Sequence, residues 1–321
     1  MNSAVCTLFE GSYHHGVAAL ANSLHRSGFR GHLFAGYRGP LPAWAQQAQP
    51  FAHGGWTGGT ALDLPAGPRI VFLPLDTPHH LTNHKPAFMQ ALLDGPARAA
   101  TSLFYLDPDI CVVQPWSYFE DWVGCGVALC EDLNSPLPAL HPRRIGWRRY
   151  YAAHGITLKF RAPEYVNGGF VGVHREQRAF IDLWQRTMAL MAHEIGSLAA
   201  AKIGAGQAYK STGFADCFDC SDQDALNAAI EACDLPVSVI GQEAMAFKPG
   251  FALLPHALGT GKPWQRQYLR TALGGVAPRL ADKAFWAHAQ GPVAVYSALH
   301  LRLKRLDLGA GALVGRLLRR S

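Results

Sequence analysis

Residues 4–37 read strand, helix, strand, and that order constrains the fold more than any other feature. AVCTLF (4–9) is a short apolar run without a helical period. Glu10-Gly11-Ser12 ends it as a turn, with Ser12 placed to cap a helix. Over 14–27, Val17, Leu20, Ala21 and Leu24 form one apolar stripe, and Gly28 follows as a stop. Residues 32–37 read as a second strand. Two strands joined through a helix lie parallel in one sheet, so the chain is an α/β protein. A nicotinamide-binding version would carry GxGxxG in the first turn. EGSYHHG offers only Gly11 and Gly16, which argues against it.

Further elements follow the same logic. Residues 38–68 are rich in Gly and Pro and read as loop and helix fragments. Strands are expected at 69–73, 102–106, 126–130 and 237–240, and at Phe170, Val171 and Val173, preceded by Asn167-Gly168-Gly169, where the glycines either let the backbone come close to a neighbour or make a plain turn. Helices are expected after Pro86, over 175–193, and over 221–231, where Ser221 would cap and Asp222 and Asp224 sit in the first turn. Residues 142–161 interleave Arg143, Arg144, Arg148 and Arg149 with Trp147, Tyr150 and Tyr151. That block either holds an anionic or sugar-bearing partner or is a helix with snorkelling arginines.

Residues 102–113, SLFYLDPDICVV, carry the chemistry. A buried strand ends in Asp107 and Asp109 with Pro108 between them. Carboxylates at i and i+2 of a strand point the same way, and two like charges together call for a cation. Asp-Pro is also ordinary turn chemistry, so a plain turn stands beside the metal reading. Lys85 opens a helix, where it could reach a phosphate or stay solvated. PHALGTGKPW (255–264) sets His256, Gly259, Gly261 and Lys262 close together. An imidazole there could be a third ligand, and glycine amides with a lysine could hold phosphate oxygens.

Composition bounds the rest. The 49% hydrophobic and 16% charged content is that of a globular chain. No apolar run reaches the ~18–20 residues of a membrane span, and MNSAVCTLFEG lacks a secretory signal. Seven scattered cysteines point to reduced thiols and a cytoplasmic address. The lone CxxC, Cys217 and Cys220, is too few ligands for structural zinc. Of the formal charge of +6, +5 lies in 301–321, which holds Arg302, Lys304, Arg305, Arg316, Arg319 and Arg320 against Asp307. The body is therefore no nucleic-acid surface. The leucine- and arginine-rich tail either lies on an anionic membrane, giving a peripheral place at its inner face, or packs its leucines on the body. Gly309 and Gly311 weaken a continuous helix there.

The series YLDPD, VNGGFVGV, SDQDALN and HALGTGKPW, in that order, resembles the retaining, metal-dependent nucleotide-sugar glycosyltransferases of family 8, which include bacterial lipopolysaccharide galactosyl- and glucosyltransferases and glycogenin-like enzymes. The resemblance covers roughly residues 4–265. It implies the glycosyltransferase A (GT-A) fold: an α/β domain over 1–265 with a mixed, mostly parallel central sheet flanked by helices. Its nucleotide-binding half would span about 1–113 and its acceptor half about 114–265. Residues 266–321 would be a helical, basic C-terminal extension. By the resemblance Asp107, Asp109 and His256 would hold Mn²⁺ or Mg²⁺, and Lys262 with the amides near Gly259 and Gly261 would hold the diphosphate. Lys85 would stand near the donor, Asn167, Gly168, Asp222 and Gln223 would contact the donor sugar, and Asp222 with Gln223 would be catalytic. The implied reaction moves a hexose from a nucleotide diphosphate sugar, UDP-sugar by analogy, to a glycan or lipid-linked acceptor. Rival readings are a catalytically silent glycan or nucleotide-sugar binder and a membrane-surface protein acting through its tail. Three departures stand out. Pro108 removes a backbone donor, the first turn lacks an aspartate pair, and Asn167-Gly168-Gly169 has an extra glycine expected to loosen the sugar pocket.

Overall fold

The computed structural model describes residues 2–53, 56–200 and 217–318. Its elements in chain order are β1 (Ser3–Glu10), α1 (His14–Arg26), β2 (His32–Arg38), β3 (Gln49–Pro50), β4 (Thr60–Asp63), β5 (Arg69–Pro74), α2 (Lys85–Asp94), β6 (Ser102–Leu106), α3 (Trp116–Val123), β7 (Val127–Glu131), α4 (Pro142–Ala153), β8 (Val166–His174), α5 (Ala179–Ile195), α6 (Ser221–Ala232), β9 (Val237–Ile240), α7 (Tyr268–Leu273), α8 (Leu280–His288) and α9 (Ala298–Leu317). The strands form one sheet in the order β3-β4-β5-β2-β1-β6-β8-β7-β9. β2 and β6 flank β1 in parallel, while β8 runs antiparallel to both β6 and β7. β4 likewise opposes β3 and β5, so every strand but β4 and β8 shares one direction.

β1 shows why the sheet is covered on both faces. Cys6 and Leu8 pack with Phe88 and Leu92 of α2 and Trp184 of α5. Val5 and Phe9 pack with Leu20 and Leu24 of α1 and Phe119 of α3. A strand between two helical layers has no polar face, so it reads as a continuous apolar run. Each large side chain so buried contributes roughly 1.5–3 kcal/mol of transfer free energy.

Several expectations are corrected. Residues 38–68 contribute two short antiparallel strands, β3 and β4, at the sheet edge. The glycines Gly168 and Gly169 lie inside β8, not in a turn before it. Ser12 sits in a 3-10 turn and does not cap α1. Ser221 begins α6 but its hydroxyl donates to Asn83 Oδ1 at 2.5 Å instead of capping. The arginine-aromatic block is α4, with Arg143 and Arg144 buried, Arg148 half-buried and Arg149 exposed. Arg143 pairs with the fully buried Asp224, and Arg144 and Arg148 both pair with Glu231.

The C-terminal helix is continuous despite its glycines. A Cβ at Gly311 would meet the Tyr268 backbone at 2.8 Å, and one at Gly315 would meet Ala277 Cβ at 2.6 Å. These glycines are where α9 lies close against α7 and the turn after it. The segment 288–293 is stitched to α1: Asn22 Nδ2 donates to the carbonyls of His288 and Val293, both at 2.9 Å, and Asn22 Oδ1 accepts from Val293 N.

Candidate metal and donor-binding site

β6 delivers the chain to a turn. Ile110 N donates to Asp107 O at 3.1 Å, so Asp107-Pro108-Asp109 is a turn and the carboxylates converge by its curvature, not by strand alternation. The plain-turn reading of this motif holds, and the turn also sets the two carboxylates where a cation could lie between them. His256 arrives by backbone pairing from far along the chain. Val113 N donates to Leu253 O, Cys111 N to Pro255 O, and Ala257 N to Asp109 O. Ile110 and His256 form an antiparallel bridge. Ligand atoms of Asp107, Asp109 and His256 fall within 4.8 Å of one another, the one such cluster among the described residues. His256 Nε2 is 3.2 Å from Asp109 Oδ1 and 3.7 Å from Asp107 Oδ2.

The neighbouring strand forms the floor. Asp107 N donates to Gly169 O at 2.8 Å. A Cβ on Gly169 would stand 2.6 Å from His256 Cε1 and 3.0 Å from Asp107 Oδ2; one on Gly168 would stand 2.6 Å from Asp222 Oδ2. The extra glycine therefore tightens the site instead of loosening it, because only a bare backbone lets the carboxylates and imidazole close over β8. Asn167 is buried and spans inward. Its Nδ2 donates to Asp132 Oδ2 at 2.6 Å, and its Oδ1 accepts from Gly169 N at 2.8 Å.

α6 and α2 supply the far wall. Gln223 Oε1 accepts from Gly168 N at 3.1 Å. Lys85, the first residue of α2, turns inward. Its Nζ is 2.7 Å from Asp222 Oδ2, 3.1 Å from Asp107 Oδ1 and 2.9 Å from Gly168 O. Lys262 Nζ is 2.5 Å from Asp109 Oδ2. Gly259 and Gly261 shape the loop that carries Lys262, both with positive φ. The structure thus brings Lys85, Asp107, Asp109, Asn167, Gly168, Asp222, Gln223, His256 and Lys262 into one contiguous network.

Charge alternation sets the ionisation states. Burial would raise the Asp109 carboxyl, but His256 and the Lys262 ammonium beside it hold it well below the usual range. Burial works against the Lys85 ammonium, yet Asp107 and Asp222 push its pKa above that of a free lysine. Lys262 moves the same way: burial opposes its charge, and Asp109 more than restores it. Burial raises Asp222, with Lys85 opposing and Asp107 reinforcing.

Sequence reasoning missed two residues of the site, Tyr105 and Asp132. Tyr105 OH donates to Asp107 Oδ1 at 2.8 Å, and the Lys85 ammonium lies 5.1 Å from the centre of its ring. The signal was present, since Tyr105 stands only two residues before Asp107. Asp132, the partner of Asn167, had no such marker.

No protein-family model and no curated protein sequence matches the chain. Among solved structures, the galactosyltransferase LgtC in complex with donor and acceptor sugar analogues is similar at TM-score 0.50 and 14% identity, over 94% of this chain and 99% of that one. An active-site glutamine-to-glutamate mutant of LgtC gives TM-score 0.51 at 13% identity over the same shares. This chain has the GT-A fold. A likeness at that identity speaks for architecture, and function has to come from the site. In open α/β sheets ligands bind outside the carboxyl ends of the strands, and the GT-A sheet here places the Asp107 turn at the carboxyl end of β6, beside β1.

Proposed function

We propose that the protein is a metal-dependent, retaining glycosyltransferase that moves a hexose from a nucleotide diphosphate sugar to a glycan or lipid-linked acceptor. The observation that carries this reading is the Asp107, Asp109 and His256 cluster, flanked by two lysines, in the crevice of a GT-A sheet. The donor set fits a divalent ion. Two carboxylates suit Mn²⁺ or Mg²⁺, and the imidazole favours Mn²⁺. Asp107, Asp109 and His256 would hold the ion, which when bound offsets charge on the departing diphosphate.

The chain's own groups do the rest. Lys262 and the amides around Gly259 and Gly261 take diphosphate oxygens, adding positive charge where negative charge develops. Lys85 opposes the burial that raises the Asp222 pKa and holds the carboxyl at 2.7 Å. Asp222 then faces the sugar as an anion able to stabilise an oxocarbenium-like centre, and Gln223 and Asn167 hold β8 beside it. Retention and the choice of UDP rest on the family resemblance.

The tail extends the proposal to an anionic membrane surface. Leu299, Leu303, Leu306, Leu313 and Leu317 are all exposed, at spacings that put them on one face of α9. Arg302, Arg305 and Arg316 are exposed as well; Arg319 and Arg320 lie outside the described residues. Among the described residues no helix is long and apolar enough to cross a membrane, so α9 would lie on the surface of one. Seven free thiols fit a reducing compartment.

A panel of nucleotide sugars with Mn²⁺, scored for turnover and for thermal protection, tests the core claim. Asp107→Asn and Asp109→Asn should abolish metal-dependent turnover. If no nucleoside diphosphate stabilises the fold and none of the sugars turns over, the proposal is wrong. Co-sedimentation with anionic against neutral vesicles tests the tail.

A further inference from the structure

Asp109 faces two ways. Its Oδ1 looks toward His256 Nε2 at 3.2 Å, and its Oδ2 takes the Lys262 ammonium at 2.5 Å. An ion entering among Asp107, Asp109 and His256 would meet that ammonium on the same carboxylate. Two cations on one carboxylate repel at short range in a buried site, where screening is weak.

The two lysines of the site differ in freedom. Lys85 stands on helix α2, and its side chain is 3% exposed and held by Asp107, Asp222 and the Gly168 carbonyl. Lys262 stands on a loop. Gly259 (φ +80°) and Gly261 (φ +74°) bracket its approach, and a Cβ on Gly259 would meet nothing within 4 Å. Besides Asp109, Lys262 Nζ reaches the Ala257 carbonyl at 2.9 Å and lies 5.5 Å from the centre of the Tyr13 ring. A diphosphate, with more negative charge than one shared carboxylate, competes for this ammonium on favourable terms.

We propose that Lys262 is an internal counter-cation that keeps the affinity of Asp109 for a divalent metal low until a nucleoside diphosphate draws the ammonium away. Metal and nucleotide then bind with positive coupling, each raising the other's affinity by the same factor. Part of that coupling resides in this lysine. The inference rests on the metal-dependent reading above, and its test separates the two.

The test is free Mn²⁺ measured by electron paramagnetic resonance on the full-length protein, without nucleotide and with UDP. Without nucleotide, Lys262→Gln should bind Mn²⁺ about tenfold more tightly than the unsubstituted protein, since one repelling charge is gone. Lys262→Met keeps the apolar stem and should behave alike, which guards against a folding loss in either variant. Lys262→Arg keeps the charge and should stay within about threefold. The enhancement of Mn²⁺ binding by UDP should be smaller in the two neutral variants than in the unsubstituted protein. Measurable but equal Mn²⁺ affinities for Lys262→Gln, Lys262→Met and the unsubstituted chain would overturn the counter-cation role and leave the metal site standing. No Mn²⁺ binding by any of them, with or without UDP, would overturn both.

Discussion

Replacing Gly169 by alanine probes the floor of the site with a single methyl group. The added Cβ would stand 2.6 Å from His256 Cε1, 2.8 Å from Asn167 Oδ1 and 3.0 Å from Asp107 Oδ2. Ordinary carbon contacts lie near ~3.5–4.0 Å, so the imidazole must retreat by about 1 Å. It has little room, because the backbone around His256 is paired to the Asp107–Ile110 turn on one side and bonded to Met245 O on the other. Overpacking of this kind costs about 1–3 kcal/mol. In the proposed metal site, disturbing the support of His256 lowers affinity by about 10–100-fold. Differential scanning calorimetry should therefore show a lower Tm, and titration calorimetry a matching loss of Mn²⁺ affinity. An alanine variant with unchanged Tm and unchanged Mn²⁺ affinity would refute the claim that β8 needs a bare backbone here.

Gly309→Ala is the opposite case. Nothing lies within 4 Å of its would-be Cβ, so in the exposed interior of α9 the change should stabilise by about 0.5–1 kcal/mol in urea unfolding. Asp224→Asn should destabilise by about 3–5 kcal/mol, because it leaves the buried Arg143 guanidinium without its anion; a smaller fall in the denaturation midpoint than in a surface Asp94→Asn control would contradict this. His288 is buried, and burial, aided by Arg26, lowers its pKa to about 4. The unfolded chain therefore binds the extra proton as pH falls from about 6.5. Stability is full above that pH and declines below it, by up to about 3 kcal/mol near pH 4, and His288→Gln should flatten that part of the pH–stability curve.

Much of the architecture is legible because central strands such as β1 are apolar throughout and alternate with amphipathic helices such as α1. The site is legible in part. Asp107 and Asp109 announce themselves at an element end and His256 and Lys262 within one short motif, but Lys85 reads equally as a solvated lysine, and what joins these pieces is the pairing of 109–113 with 253–257, which no local pattern encodes. The arginines of α4 mislead for the same reason. Their spacing shows a charged face, while their partners Asp224 and Glu231 lie on α6, far along the chain. Gly311 of α9 looks like a break because a sequence does not reveal that α7 needs room there.

The bond between Asn22 and Val293 joins residues 271 positions apart. During synthesis at ~5–20 residues per second, helix α1 emerges on the order of tens of seconds before its last partner exists. Until then the buried amide of Asn22 has no protein group to satisfy it, and the face of α1 that α8 will cover stays open. The amino-terminal half is thus finished by the carboxy-terminal one, and a ribosome stalled before residue 293 would hold a chain whose first helix is still unsealed.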